Sequence, residues 1–229
     1  MNLSLYQCRH EDNLCERSHL QQKMRDIMRK SHYNRRIKMI LSGGHDMSKI
    51  AVFFAQGYEE IEALTVVDIC RRAGITVDMV SVTADSAVTG SHGIKVEMDK
   101  KFEDVNFDEL DMLVLPGGMP GTRNLEAHQG LMAQMDAFYE NGKYVAAICA
   151  APTVMGHRGI LKGRKACCYP GMENELEGAE VTYEPVAIAG NVITSRGMGT
   201  AIPFALAITG ALCGQEKSDG LSKGIVYTV

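Results

Sequence analysis

The sequence predicts one α/β domain whose mostly parallel sheet is covered by helices on both faces, and three observations predict it. From residue 47 onward, short apolar runs alternate with segments of helical period, the pattern of repeated strand–helix units. The apolar runs are continuous rather than alternating, as expected of strands buried on both faces. The chain has 229 residues, 45% of them hydrophobic and 23% charged, enough to bury a core without disulfide staples.

The elements follow in order from the pattern. Residues 50–55 are the first strand, Ile-Ala-Val-Phe-Phe-Ala without a polar break. Residues 61–73 form a helix with Ala63, Val66, Val67 and Cys70 on one stripe, ended by Gly74. A second strand, 75–82, precedes a hairpin over 87–98 that turns at Gly90 and Gly93. The strand 111–115 is stopped by Pro116-Gly117-Gly118. A helix over 124–139 places Leu131, Met135 and Phe138 on one face and stops at Gly142. Residues 144–148 are the next strand, running directly into Cys149 and a helix entered through Ala150-Ala151-Pro152. Beyond it lie a strand over 165–169, a β-rich stretch 181–195 turning at Gly190-Asn191, and a helix over 200–213.

Residues 1–46 read differently. They are polar, show little periodicity, and end in Ser42-Gly43-Gly44-His45-Asp46. The expectation is an N-terminal extension, disordered or the product of an over-extended gene model, with Met47 as the biological start of a domain 47–229. Its Cys8, His10, Cys15 and His19 match none of the common zinc spacings, so no metal site is assigned. The extension carries nine Lys/Arg against five Asp/Glu (+4), and the remainder 15 against 23 (−8), within a net charge of −4. An acidic domain argues against nucleic acid or an anionic membrane as partner. No apolar run approaches a membrane span or resembles a secretory leader, so a cytoplasmic location is expected. The seven cysteines have no framework spacing and are expected to be free thiols.

In open α/β sheets reactive groups collect beyond the carboxyl ends of the strands. Four such ends carry unusual residues: 57–62, 116–118, 149–152 and 195–200. Cys149 stands where an apolar strand gives way directly to a helix, an elbow that forces a sharp turn and exposes the side chain. There the helix N-terminus favours the thiolate, whereas most free cysteines are buried and inert. Glu62 shares the spacing i, i+4, i+7, i+11 with Val66, Ile69 and Ala73. It is either a desolvated carboxyl able to pass a proton to Cys149, or a solvated helix-start glutamate of the kind that explains Glu59 and Glu60. The Gly118 and Ala150 amides can form an oxyanion hole. Arg196 either orients the site and binds an anion or makes a surface ion pair. Cys167 and Cys168, adjacent on a strand, face opposite ways and are read as core packing.

Five segments in series, 57–62, 71–74, 115–118, 147–152 and 194–200, make the chain resemble the DJ-1/PfpI (ThiJ) superfamily in its DJ-1-like branch. The resemblance runs from about Ser48 to Gln215. It implies a flavodoxin-like three-layer sandwich, a homodimer, no cofactor, and a cysteine that oxidises to sulfinate beside a glutamate, here Cys149 and Glu62. It also implies glyoxalase and deglycase activity on methylglyoxal or its thiol and amine adducts, or else a non-enzymatic redox sensor and chaperone. Two positions depart from the pattern. Tyr169 stands where many relatives carry a histidine, and tyrosine is a poor base near neutral pH. His92 stands where some relatives carry a hairpin arginine. Ala150, rather than histidine, follows Cys149, which sets protease-like and amidotransferase-like readings behind.

Overall fold

In the computed structural model, which describes residues 48–228, the chain enters on β1 (Lys49–Phe54) and crosses through helix α1 (Glu60–Arg72) to β2 (Thr76–Ser81). A separate hairpin follows, β3 (Ala87–Thr89) and β4 (Lys95–Glu97), then the two-residue β5 (Lys100–Lys101). Next come β6 (Met112–Leu115), α2 (Gly121–Ala127), α3 (Gln129–Glu140), β7 (Tyr144–Ile148) and α4 (Pro152–His157). The short β8 (Lys165–Ala166) and β9 (Glu180–Val181) pair with each other, ahead of β10 (Val186–Ala189), β11 (Val192–Ser195), α5 (Ala201–Cys213) and α6 (Gln215–Gly224). The expectations for residues 1–46, for Met47 as a start and for the cysteine–histidine cluster lie outside the described residues.

Seven strands form the central sheet in the order β10-β11-β7-β6-β1-β2-β5. All neighbours are parallel except the edge strand β10, antiparallel to β11. Alternate residues of the central strands feed two separate cores, which is what makes the molecule three layers. Ile50, Val52 and Phe54 of β1, with Ala146 and Ile148 of β7, pack under α1 and α5 against Val66, Cys70, Phe204 and Ile208. Ala51 and Phe53, with Val145 and Ala147, face the other way onto Leu125, Leu131, Met135 and Val154 of α2, α3 and α4. The mostly parallel three-layer α/β architecture expected from the sequence is therefore present.

Three local expectations need correction. The helix over 124–139 is two helices, because His128 leaves the helical region (φ −80°, ψ 95°). Its Nδ1 accepts from the Leu131 amide at 3.0 Å, capping the second helix. The strand over 165–169 stops at Ala166. Beyond it the Cys167 amide donates to Thr194 Oγ1 (3.0 Å) and the Tyr169 amide to the Cys149 carbonyl (2.8 Å), so the ladder is abandoned to bind the elbow. Helix α6 was not expected, since Leu221 is its one large apolar residue; Ser218 also docks it, its hydroxyl donating to the Leu206 carbonyl at 2.9 Å.

β11, β7, β6 and β1 are consecutive neighbours, so the segments leaving their carboxyl ends gather at one end of the sheet. Among the described residues no helix is long and apolar enough to cross a membrane.

Candidate active site at the Cys149 elbow

Between the end of β7 at Ile148 and the start of α4 at Pro152, Cys149 takes φ +66°. For a side chain with a Cβ this left-handed conformation costs about 1–2 kcal/mol, and flanking bonds hold it. The Cys149 amide donates to the Ser195 carbonyl at 3.0 Å, tying the elbow to β11, and its carbonyl accepts from Tyr169. Pro152 occupies the start of α4, where it loses no helical bond, and Thr153 Oγ1 donates to the Ala150 carbonyl at 2.7 Å. The sharp turn expected from the sequence is thus a strained one.

Glu62, in the first turn of α1, is 1% exposed. The Gly117 amide donates to its Oε2 at 2.9 Å. Its Oε1 is buried without a hydrogen-bond partner, and the carboxyl as a whole interacts with the Cys149 thiol. Of the two sequence readings of Glu62, burial is the one realised. Burial raises its pKa to about 7, against the opposing hydrogen bonds of Cys149 and Gly117. The Cys149 thiol is pushed up to about 12 by burial, then by the charge and hydrogen bond of Glu62, while the Ala150 and Gly118 amides pull it down. The expected help from the helix terminus is therefore outweighed while Glu62 is an anion. A proton on Glu62 removes that repulsion and makes the carboxyl a donor toward sulfur, so the two groups titrate as a pair.

The Gly118 and Ala150 amides, expected to form an oxyanion hole, both act to lower the pKa of the Cys149 thiol. Gly118 can be nothing else: its φ is +91°, and a Cβ there would stand 2.4 Å from the Glu59 nitrogen. Tyr169 is brought to the elbow through its backbone, and its half-exposed ring lies over Gly197. Arg196 is tied elsewhere. Its guanidinium stacks over Tyr183 and donates to the Tyr183 carbonyl at 3.3 Å, leaving a buried Nε without a partner. His92 bonds to Glu60 and Ser91 rather than to Cys149 or Glu62.

The reading of Glu59 and Glu60 as solvated is overturned. They are 8% and 3% exposed, because the β3–β4 hairpin folds over the start of α1. Glu60 accepts from the His92 amide (2.8 Å) and pairs with His92 Nδ1 (3.0 Å), while Ser91 Oγ donates to both carboxylates at 3.2 Å. Burial works to raise the Glu60 pKa, but the His92 hydrogen bonds prevail and bring it to about 2. Glu59, Glu60 and His92 place three possible metal-ligand atoms within 4.8 Å of one another. Sequence reasoning missed this cluster and the Gly117–Glu62 bond, because both depend on which loop folds over which helix. Cys167 and Cys168 are both buried as expected, Cys167 bonded through sulfur to the Thr194 carbonyl at 3.4 Å.

The DJ-1/PfpI family model matches residues 48–211, which include the hairpin, the strand-end glycines and the cysteine elbow. The chain belongs to the DJ-1/PfpI family. It is 39% identical over 184 residues to Protein dj-1beta of Drosophila melanogaster, a match covering 79% of this chain and 98% of that one. It is 35% identical over 180 residues to Protein DJ-1 homolog B of Arabidopsis thaliana, covering 78% of this chain but 41% of that longer protein. Among solved structures, Toxoplasma gondii DJ-1 in an oxidised form superposes with a TM-score of 0.76 at 33% identity, covering 80% of this chain and 100% of that one. This DJ-1/PfpI member therefore has the flavodoxin-like sandwich expected for it.

Proposed function

We propose that this DJ-1-like protein defends against carbonyl and oxidative stress as a cofactor-free glyoxalase and deglycase acting through Cys149 and Glu62. The observation that carries the reading is a buried carboxyl, one oxygen of it without a partner, beside a thiol at a strained strand-to-helix turn. In the forward direction, Cys149 sulfur attacks the aldehyde carbon of methylglyoxal, free or released from its adduct with loss of the thiol or amine, and the thiol proton passes to the oxygen, giving a hemithioacetal. In this reading the Gly118 and Ala150 amides hold the oxyanion. The Glu62 carboxylate takes the proton from the former aldehyde carbon and returns it to the neighbouring carbon, leaving a lactoyl thioester. Water cleaves the thioester, releasing lactate and the free thiol. Methylglyoxal and water become lactate, and nothing is oxidised overall.

Lactate formation from methylglyoxal, measured for the wild type and for Cys149→Ser, is the test. The wild type should produce lactate and the variant should not; equal rates would remove the enzyme reading.

A second reading, a redox sensor switched by oxidation of Cys149 to sulfinate, draws on Tyr169. It stands half-exposed at the elbow where a base would assist turnover. Mild peroxide should then add two oxygens to Cys149 first, and mass mapping that finds oxidation spread over Cys70, Cys167 and Cys213 speaks against it. A homodimer belongs to either reading. Ile61 and Ile94 are exposed beside the Glu60–His92 contact, and a second copy would cover them. Sedimentation equilibrium would report its mass.

A further inference from the structure

Gly197 lies where the segments that hold the elbow converge. The chain reaches it just after Ser195, whose carbonyl accepts the Cys149 amide at 3.0 Å, while Tyr169 donates its own amide to the Cys149 carbonyl at 2.8 Å. Thr200 fixes the loop around it. Its Oγ1 accepts from the Arg196 amide (3.2 Å) and the Gly197 amide (3.0 Å), and stands 2.7 Å from Ser195 Oγ. Ser195 Oγ donates in turn to the Pro185 carbonyl at 2.8 Å, so the position of Gly197 is set by β11 and the segment before β10.

Among Gly117, Gly118 and Gly197, only Gly197 leaves room for a carbon. A Cβ there would stand 3.5 Å from Tyr169 Cδ2, 3.9 Å from Tyr169 Cε2 and 4.0 Å from Glu62 Oε1, all ordinary contacts. At Gly117 and Gly118 the nearest atoms would be 2.6 Å and 2.4 Å away. The Gly197 backbone is extended (φ 162°) rather than left-handed, so its missing side chain leaves space rather than relieving a turn. One wall of that space is the apolar edge of a half-exposed ring. The other is a buried carboxyl oxygen with no hydrogen-bond partner. A space of one carbon between them suits a methyl group on the carbon next to the one that gives up its proton to Glu62.

We propose that Gly197 and the Tyr169 ring seat the methyl group of the substrate, and that Gly197 sets the size of the substituent allowed beside the aldehyde. The proposal rests on the glyoxalase reading above and adds to it a specificity-determining pair. Once Cys149 sulfur is bonded to the former aldehyde carbon, the neighbouring carbon carries the methyl group toward Gly197 and the ring edge. Methylglyoxal fills the seat and glyoxal leaves it unfilled, while a longer substituent must push the Tyr169 ring aside. Tyr169 then serves through its ring and not as a base, consistent with a phenol near neutral pH.

The test measures kcat/KM for methylglyoxal, read as lactate, and for glyoxal, read as glycolate, in the full chain and in Gly197→Ala and Tyr169→Ala. Gly197→Ala puts its own methyl in the seat, so the ratio of methylglyoxal to glyoxal should fall by about tenfold or more. Tyr169→Ala removes one wall and should lower the same ratio by less. An equal loss for both substrates in Gly197→Ala would overturn the seat, because the added methyl would then be disturbing Glu62 alone. A second measurement needs no turnover. Chloroacetone and chloroacetaldehyde each alkylate a thiol with loss of chloride, leaving a sulfur-bound methylene beside a carbonyl that bears methyl or hydrogen. Their relative rates at Cys149, followed by peptide mass mapping, should shift against chloroacetone in Gly197→Ala. Neither lactate nor glycolate from the wild type, together with that shift, would remove the glyoxalase reading and leave the seat standing. An unchanged rate ratio in Gly197→Ala overturns the seat whatever the turnover.

Discussion

The Gly117 amide holds Glu62 Oε2 at 2.9 Å across 55 residues of sequence, and so fixes the carboxyl beside Cys149. One bond from the segment after β6 thus orients the carboxyl. It also leaves Glu62 buried with a single good donor, which is why burial prevails and its pKa rises.

That rise makes stability depend on pH with a definite sign. Folded Glu62 has a pKa of about 7 against an ordinary 4.5. Its contribution is fully present below about pH 4.5 and is lost as pH rises through about 7. Urea unfolding of wild type and Glu62→Gln across pH 4 to 8 should show the wild type losing up to about 3 kcal/mol relative to the variant over that range. Parallel curves would mean that Glu62 is not desolvated. The same variant should lower lactate formation by about two to four orders of magnitude.

Gly117 itself leaves no space for a side chain. A Cβ there would lie 2.6 Å from the Cys149 Cβ and 2.7 Å from Glu62 Oε2, so Gly117→Ala must separate the pair. The expected result is loss of lactate formation with a destabilisation of about 1–3 kcal/mol, the usual cost of overpacking. Full activity in a folded Gly117→Ala protein would show that thiol and carboxyl need not be this close.

The layers were legible because continuous apolar runs and amphipathic helices state burial directly. Ile50, Val52 and Phe54 against Ala51 and Phe53 divide between two cores as such a run requires. Cys149 was legible because the strand leading to it ends without a loop. What escaped was anything decided by a distant segment. Glu59 and Glu60 carry the composition of a solvated helix start, and only the hairpin bearing Ser91 and His92 buries them. Arg196 sits in a motif pointing at the site, yet Tyr183, on the stretch before β10, takes its guanidinium. His128 divides a helix whose apolar period runs on unbroken, because one ring nitrogen caps the next turn.

Strain at Cys149 can be measured apart from its chemistry. Glycine is at ease at φ +66°, whereas alanine keeps the Cβ that makes the conformation costly. Cys149→Gly should therefore be more stable than Cys149→Ala by about 1 kcal/mol in denaturant unfolding, although glycine ordinarily weakens a structure. The opposite order would mean that the elbow is relaxed.

The hairpin latch gives a second pH signature, distinct from that of Glu62. Glu60 falls to about 2 from 4.5, so its stabilisation is present above about pH 4.5 and is lost as pH drops through about 2. His92 is raised from 6.5, chiefly by its hydrogen bond to Glu60, then by the charges of Glu59 and Glu60. Its share is present below about 6.5 and is lost as pH climbs through the raised value. The two windows overlap between about pH 4.5 and 6.5, where both partners are charged. The stability difference between wild type and His92→Ala should be largest there and shrink on both sides, while Glu60→Gln should cost on the order of 2 kcal/mol near pH 6. A difference independent of pH would reduce His92 to a packing contact, and the burial of Glu59 and Glu60 would then rest on Ser91 and the hairpin amides.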